Sequence, residues 1–522
     1  MAIRHLLRTA PAILTAAALL LASGCSSGGA GQESTRPPGG DASLLEPLPT
    51  KVPSDLKRYY DQKLSWHECG VMGFQCASLT VPLDYDNPSQ DTDVKLAVAR
   101  KKATGDKKPT GSLMVNPGGP GGSAINYLQN SAALAFPDPI LQRYDMVGMD
   151  PRGVARSESV ACLTDKQMDS YTRVDQTPDD GAEVDKLVDA YKNFADSCEQ
   201  HTGDLLGHVS TIEAARDMDV LRAALGDKKL YYYGASYGTY LGATYAGLFP
   251  QRTGRLVLDG AMDPSLSSEQ INRQQAGGFQ TAFTAFAKDC VEKSKCPLGH
   301  KSASDAGKQL GEFFEKLDAK PIKAGGGRTL TESLATTGVI QAMYLEQLWP
   351  RLRKAIRQAE NGDGSGLLAL SDAYYEREPD GSYGTIMFSN PAVNCLDLPP
   401  AFSGPDEVKD AVPSFKKASP VFGRGFAWAA LNCAYWPVKA TGEPHTVKAK
   451  GAAPILVVGT THDPATPYRW AQGLAGQLSS GHLLTREGDG HTGFLQGSAC
   501  TDTAITDYLV KGTVPDDGTR CS

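Results

Sequence analysis

The 522-residue chain contains neither a Cys-x-x-Cys nor a His-x-x-x-His spacing. Such spacings gather thiolates or imidazoles around zinc, so no metal site and no cofactor are expected. The chain also lacks an excess of positive charge: 52 Lys and Arg stand against 59 Asp and Glu, for a formal charge of −7. Nucleic-acid binders are normally basic, so nucleic acid is excluded as a partner. No internal repeat marks a solenoid or propeller. The apolar run near the N-terminus, "TAPAILTAAALLLA", covers about 14 residues, short of the ~20 that a membrane-spanning helix needs.

A short apolar run behind Arg4, His5 and Arg8 fits an export signal over 1–24. It ends in "LLLASGC", which resembles a bacterial lipobox with Ala22 where leucine is usual. Cys25 would then be lipidated and become the mature N-terminus, holding the chain on the outer face of the cell membrane. The other reading is a plain cleavable signal with an incidental cysteine. Removing 1–24 loses two basic residues, Arg4 and Arg8, and no acids, taking the charge from −7 to −9. The Ser, Gly and Pro of "SSGGAGQESTRPPGGDAS" cannot build a core, so 25–55 is expected to be a flexible tether, and proteolysis there would free the domain.

Ten cysteines remain: 69, 76, 162, 198, 290, 296, 395, 433, 500 and 521. An even count in an exported chain suggests disulfides, whose connectivity sequence alone does not determine. Sequential pairing is expected because it closes short local loops: Cys69–Cys76, Cys162–Cys198, Cys290–Cys296, Cys395–Cys433 and Cys500–Cys521.

Strands alternate with helices through the first half. "SLTVPLDY" and "DVKLAVARKK" read as an antiparallel pair; "GSLMVNPGGPGG", "YDMVGMDPRG", "KLYYYGASYG" and "GRLVLDGAMDP" read as strands running into loops. "TIEAARDMDVLRAAL" has helical spacing. This is the pattern of a mostly parallel sheet covered on both faces. After 265 the segments turn helical, with no convincing core strand before "APILVVGTTHDPATP". The expected organisation is an α/β core over 56–265, a helical lid insertion over 266–395, and the second part of the core over 396–522.

"KLYYYGASYGTYLGATYAGLFP" places Ser236 between Gly234 and Gly238. With 55 glycines in the chain, G-x-S-x-G alone is only a hypothesis. Strand, tight turn and helix around it make a nucleophile elbow. A serine hydroxyl needs a base, and the base needs a carboxylate to hold its tautomer. In an α/β-hydrolase they follow in the order Ser, acid, His. Asp463 lies just past an apolar strand and His491 in the loop after the next one, where α/β sheets build sites. His462 and Asp489 are the alternative base and acid. Either favoured residue could be ordinary, His491 as a loop histidine and Asp463 as a turn cap before Pro464. The oxyanion hole would use the N–H of Tyr237 and that of Gly119 in "NPGGPGGS". Asp150 and Arg152 would brace the surrounding loops.

"CASLTVPLDYDNP", "NPGGPGGS", "DMVGMDPRG", "YYGASYGTYLGATYAGLFP", "LVLDGAMDP", "NCLDLPP" and "GTTHDPATP" together resemble the secreted tripeptidyl aminopeptidases of actinobacteria. These are proline-iminopeptidase-like serine peptidases of the α/β-hydrolase superfamily. The resemblance spans about Cys69 to Cys521. It implies the α/β-hydrolase fold with a helical lid and an exopeptidase that releases short peptides from free N-termini. It also implies Ser236 as nucleophile, Asp463 as orienting acid and His491 as base and then acid. Pro117 replaces the histidine of the related HGGPG loop, which leaves the backbone donors intact and weakens any transfer of iminopeptidase specificity. An aminopeptidase should hold the substrate's ammonium with carboxylates. Asp397 and Glu269 are the candidates, each with a solvated surface position as the other reading. Two further functional readings stay open: an esterase or lipase using the same triad, and a surface lipoprotein that binds peptides without catalysis.

Overall fold

The computed structural model describes residues 42–522. The expected signal over 1–24, Cys25 and the first part of the tether lie outside the described residues. From residue 42 the chain is held rather than loose. Ser43–Leu44 pairs in parallel with His445–Thr446, and Leu45, Leu48 and Val52 pack against the main core. The expected tether is therefore too long at its C-terminal end. Its composition argument fails where the leucines begin, because each has apolar surface to bury.

One sheet holds ten strands: β1 His67–Glu68, β2 Gln75–Pro82, β3 Asp93–Lys101, β4 Gly111–Asn116, β5 Tyr144–Met149, β6 Leu230–Ala235, β7 Thr253–Asp259, β8 Ile455–His462, β9 Gly481–Asp489 and β10 Thr519–Cys521. Their order is β10-β9-β8-β7-β6-β4-β5-β3-β2-β1. Pairing is parallel from β10 to β5 and antiparallel beyond. The expected 78–85 and 93–102 pair is β2 with β3, in the register Leu79–Leu96.

The central strands are apolar at nearly every position because both faces are covered. Side chains alternate between the two cores. Met114, Tyr232, Leu256, Leu258, Ile455 and Val457 enter one core. Leu113, Val115, Tyr233, Val257, Leu456 and Val458 enter the other. Each such side chain contributes about 1.5–3 kcal/mol of burial.

Helix α1 covers Gly181–Thr202, α2 Thr211–Ala224 and α3 Tyr237–Leu248. Between β7 and β8 lie α4 Ser268–Val291, α5 Ala303–Ala319, α6 Glu332–Met343, α7 Trp349–Glu360, α8 Ser365–Tyr374, α9 Ile386–Asp397, α10 Pro405–Ala418 and α11 Gly423–Ala429. α12 Tyr468–Gln477 and α13 Ala499–Lys511 complete the second part of the core. α9 runs across the expected boundary at 395, and α10 and α11 continue the insertion. The sheet resumes only at β8.

The insertion has its own core. α4 opens with a capping box, Ser267 with Gln270, and its Phe279, Phe283 and Phe286 recur at helical spacing into a cluster with Leu310, Val339 and Leu352. α1 also belongs with the lid, although it precedes β6. Its Val184, Leu187 and Tyr191 bury against Phe402, Phe415 and Trp428. The five sequential disulfides are formed as expected. Among the described residues no helix is long and apolar enough to cross a membrane.

Candidate active site

β6 ends at Ala235 and α3 begins at Tyr237, leaving Ser236 alone at the turn with φ 56° and ψ −126°. A non-glycine residue held there costs of order 1–3 kcal/mol, a strain typical of functional turns. The flanking glycines answer a space requirement. A Cβ on Gly234 would lie 2.4 Å from the Gly238 carbonyl oxygen, and one on Gly238 would lie 2.9 Å from the Asn116 carbonyl oxygen. The turn is pinned to β7, because the Ser236 N–H donates to the Asp259 carbonyl at 2.9 Å. Ser236 thus stands at the N-terminus of α3, where the helix dipole favours developing negative charge.

Asp463 follows β8 directly and is 2% exposed. His491 follows β9 by two residues. Their side chains meet, with His491 Nδ1 at 2.8 and 2.9 Å from the two carboxylate oxygens. Asp463 Oδ1 also accepts from the N–H groups of Ala465 and Thr466, and Oδ2 from that of Thr492. The carboxylate is held by its own loop and by the histidine's. Burial disfavours the imidazolium, but the charge and hydrogen bond of Asp463, with the charge of Asp259, leave the His491 pKa raised above its ordinary value. Among the described residues the ring's hydrogen bonds all go to Nδ1, which leaves Nε2 for a second group.

The imidazole sits over the turn after β7: a Cβ on Gly260 would lie 3.2 Å from His491 Cε1. Gly260 follows Asp259, whose carbonyl holds the Ser236 N–H. The serine and histidine therefore flank one short piece of backbone. Among the described residues no direct hydrogen bond joins them, a gap common before substrate binds.

The glycine loop after β4 lies against the elbow. A Cβ on Gly118 would lie 2.5 Å from the Ala235 carbonyl oxygen and 2.9 Å from Tyr237 N. Among the described residues the N–H groups of Gly119 and Tyr237 form no hydrogen bond, so both are available to an oxyanion. A cavity of about 330 Å³ opens beside this loop, lined by Gly118, Gly119, Tyr127 and Glu376.

Asp150 and Arg152 brace the loops, as expected. Asp150 accepts from Ser123 Oγ and the Ile125 N–H. Arg152 is 1% exposed, forks onto Asp217 and donates to the carbonyls of Pro82, Leu83 and His208. The alternative base and acid, His462 and Asp489, bond to each other at 3.1 Å.

Neither carboxylate expected to bind an amine is placed for it. Asp397 is buried at the end of α9, where Oδ1 accepts the Thr211 N–H and Oδ2 the Thr211 hydroxyl. Glu269 is half-exposed and paired with Arg273 one turn along α4.

Sequence reasoning passes over two groups beside the histidine. Asp259 is fully buried, accepts from Tyr233 OH and from the N–H groups of Gly493 and Phe494, and so fixes the His491 loop. Its position at the end of a core strand is the signal that could find it. Tyr344 reaches in from the lid: its carbonyl accepts the His491 N–H at 2.9 Å and its ring stands edge-on to the imidazole at 5.5 Å. No local pattern in the insertion marks it.

A family model described as "TAP-like protein" matches residues 419–521. Serine protease Hip1 of Mycobacterium tuberculosis is 40% identical over 468 residues, covering 86% of this chain and 87% of that one. Carboxylesterase B of the same organism is 38% identical over 472 residues, covering 88% and 90%. Tripeptidyl aminopeptidase of Streptomyces lividans is 30% identical over 478 residues, covering 88% and 86%. With the fold, the elbow and the Asp–His pair, these likenesses show that the chain is a serine hydrolase of the α/β-hydrolase superfamily and belongs to the tripeptidyl-aminopeptidase-like family of serine peptidases.

Proposed function

We propose that the protein is an exported exopeptidase that releases tripeptides from peptides with free N-termini. In this reading Ser236 Oγ attacks the carbonyl carbon of the third residue while His491 Nε2 takes its proton. The oxyanion is held by the N–H groups of Gly119 and Tyr237. The C–N bond then breaks, and His491 returns the proton to the departing amine. Water deacylates Ser236 by the same steps, again with His491 as base, and the tripeptide leaves with its new carboxylate. Asp463 holds the imidazole's tautomer throughout.

The observation that carries this reading is the placement of Tyr344. It sets the lid directly on the catalytic histidine, and a cleft roofed at its chemistry suits a chain end. The relatives named as a serine protease and a tripeptidyl aminopeptidase support peptide substrates. Lipidation at Cys25 rests on the sequence; mass spectrometry of the mature N-terminus, with Cys25→Ala as control, tests it. Release of p-nitroaniline from Ala-Pro-Ala-p-nitroanilide by wild type, and its loss in Ser236→Ala, tests the peptidase reading. The relative named Carboxylesterase B supports a second reading, ester hydrolysis by the same residues. Turnover of short-chain p-nitrophenyl esters without turnover of the anilide would select it.

A further inference from the structure

The lid borders a half-open cavity of about 240 Å³ that the chemistry above leaves unused. It is smaller than the ~300 Å³ of the smallest drug-sized pockets, which suits one or two residues of a peptide. Its walls mix polar groups with aromatic ones, Tyr171, Tyr191, Tyr374, Tyr375 and Phe426 among the latter. Glu332, the first residue of α6, also lines it.

Glu332 is 7% exposed. Its Oε1 accepts from Thr336 Oγ1 at 2.8 Å, while Oε2 is buried without a hydrogen bond among the described residues. A buried carboxylate oxygen left unmatched is costly. The charges around it deepen the deficit. The negative charges of Asp175 and Asp318 act on Glu332, and their oxygens lie with that of Glu183 within 4.8 Å of one another. The nearby cation, Arg424, is committed to Asp179 and the Pro178 carbonyl. The result is a chamber of mixed polar and aromatic lining with an unmatched carboxylate in its wall and further acidic charge nearby. Its chemical complement is an organic ammonium: the carboxylate takes the charge, and the ring faces favour a cation.

The chamber adjoins the chemistry. Tyr374 and Tyr375 line it, while the next residue, Glu376, lines the cavity at the oxyanion loop. Met387 and Ile386 divide in the same way. The two cavities therefore meet along the segments 374–376 and 386–387. Packed rings also link the catalytic histidine to the chamber wall: His491 to Tyr344 at 5.5 Å, Tyr344 to Phe279 at 5.6 Å, and Phe279 to Phe426, which lines the chamber, at 5.4 Å.

We propose that this chamber receives the amino-terminal ammonium of the substrate, with Glu332 as its counter-ion. The proposal rests on the exopeptidase reading above.

The test uses Ser236→Ala, which keeps the ligand intact. Binding of Ala-Pro-Ala-p-nitroanilide, with a free or an N-acetylated amine, is measured by titration calorimetry with Ser236→Ala and with the double variant Ser236→Ala/Glu332→Gln. The free amine should bind Ser236→Ala about tenfold tighter or more, as expected for a hydrogen-bonded charge pair. In the double variant the two ligands should bind alike. A preference that survives Glu332→Gln overturns the proposal and places the amine elsewhere, with Glu376 next to examine. Equal binding of both ligands to Ser236→Ala also overturns it. Equal thermal midpoints of Ser236→Ala and Ser236→Ala/Glu332→Gln, and equal binding of the N-acetylated ligand by both, separate loss of amine binding from loss of fold. Failure of the exopeptidase reading is read separately, as binding with amine preference but no hydrolysis by wild type.

Discussion

Replacing Asp397 with asparagine should stabilise the protein at pH 8, although it removes a buried, hydrogen-bonded charge. Burial raises the Asp397 pKa from an ordinary 3.8 to about 7; the hydrogen bonds from the Thr211 hydroxyl and N–H oppose the rise, and the charge of Glu213 adds to it. Between pH ~4 and ~7 the folded protein holds a proton that the unfolded chain has lost. Stability is therefore full below pH ~4, falls as pH rises, and stays low once the folded carboxyl ionises. At ~1.4 kcal/mol per pH unit, ionised Asp397 costs the fold about 4 kcal/mol. Asparagine does not titrate. Its Oδ1 can still accept the Thr211 N–H, now at 2.7 Å. Its Nδ2 can donate to the Thr211 hydroxyl, which turns its hydrogen to Tyr237 OH, 2.5 Å away. Allowing about 1 kcal/mol for poorer geometry, Asp397→Asn should gain about 2–4 kcal/mol at pH 8 and lose about 1 kcal/mol at pH 4. Guanidinium midpoints at both pH values, with disulfides intact, measure it. A variant less stable than wild type at pH 8, with a parallel pH dependence, would refute the reasoning.

Asp463→Asn should lower kcat about 10⁴-fold. Its oxygen is claimed by the N–H groups of Ala465 and Thr466, so its amide would face Nδ1 and force the wrong tautomer; stopped-flow acylation with the anilide substrate measures the loss. The wild-type kcat/KM should fall on acidification with an apparent pKa above the ordinary histidine value, since His491 must be neutral to act as base and its pKa is raised. Removing the Asp463 charge should move that limb to lower pH, which a pH profile of residual activity detects. Gly118→Ala should cut kcat at least tenfold with a smaller effect on KM, because its Cβ would enter contact distance of the elbow and of Tyr237 N, where φ is also +92°; steady-state kinetics beside a thermal midpoint separates this from unfolding.

The parts of this molecule that were legible in the sequence are those whose cause is local. Gly234 and Gly238 stand two residues to either side of a serine because the turn leaves no room for a Cβ, and that requirement is written in consecutive letters. Asp463 and His491 are legible because each follows a strand of apolar residues, and strand ends in a parallel sheet share one rim. The limits of the lid were misplaced for the opposite reason. α1 reads as one more amphipathic helix of the sheet domain, yet the apolar surface it matches belongs to Phe402, Phe415 and Trp428, more than 200 residues later. Helical spacing records that a face must be buried but not against what.

The search for the amine site shows the same limit more sharply. Asp397 stood out because it lies in a recognisable stretch, "NCLD", and Glu269 because it opens the insertion. The structure assigns both to other work, one to Thr211 and one to Arg273. Glu332, in "TLTESLATT", has no local distinction; it reads as an acidic residue in the first turn of a helix, a position that the dipole alone would justify. Its unmatched oxygen is a property of everything around it: tyrosines from three segments, and an arginine already engaged elsewhere. A triad needs specific residue types on specific strand ends, so sequence order constrains it. A recognition pocket needs only an uncompensated charge in a sheltered space, and that shelter exists only once the chain has folded.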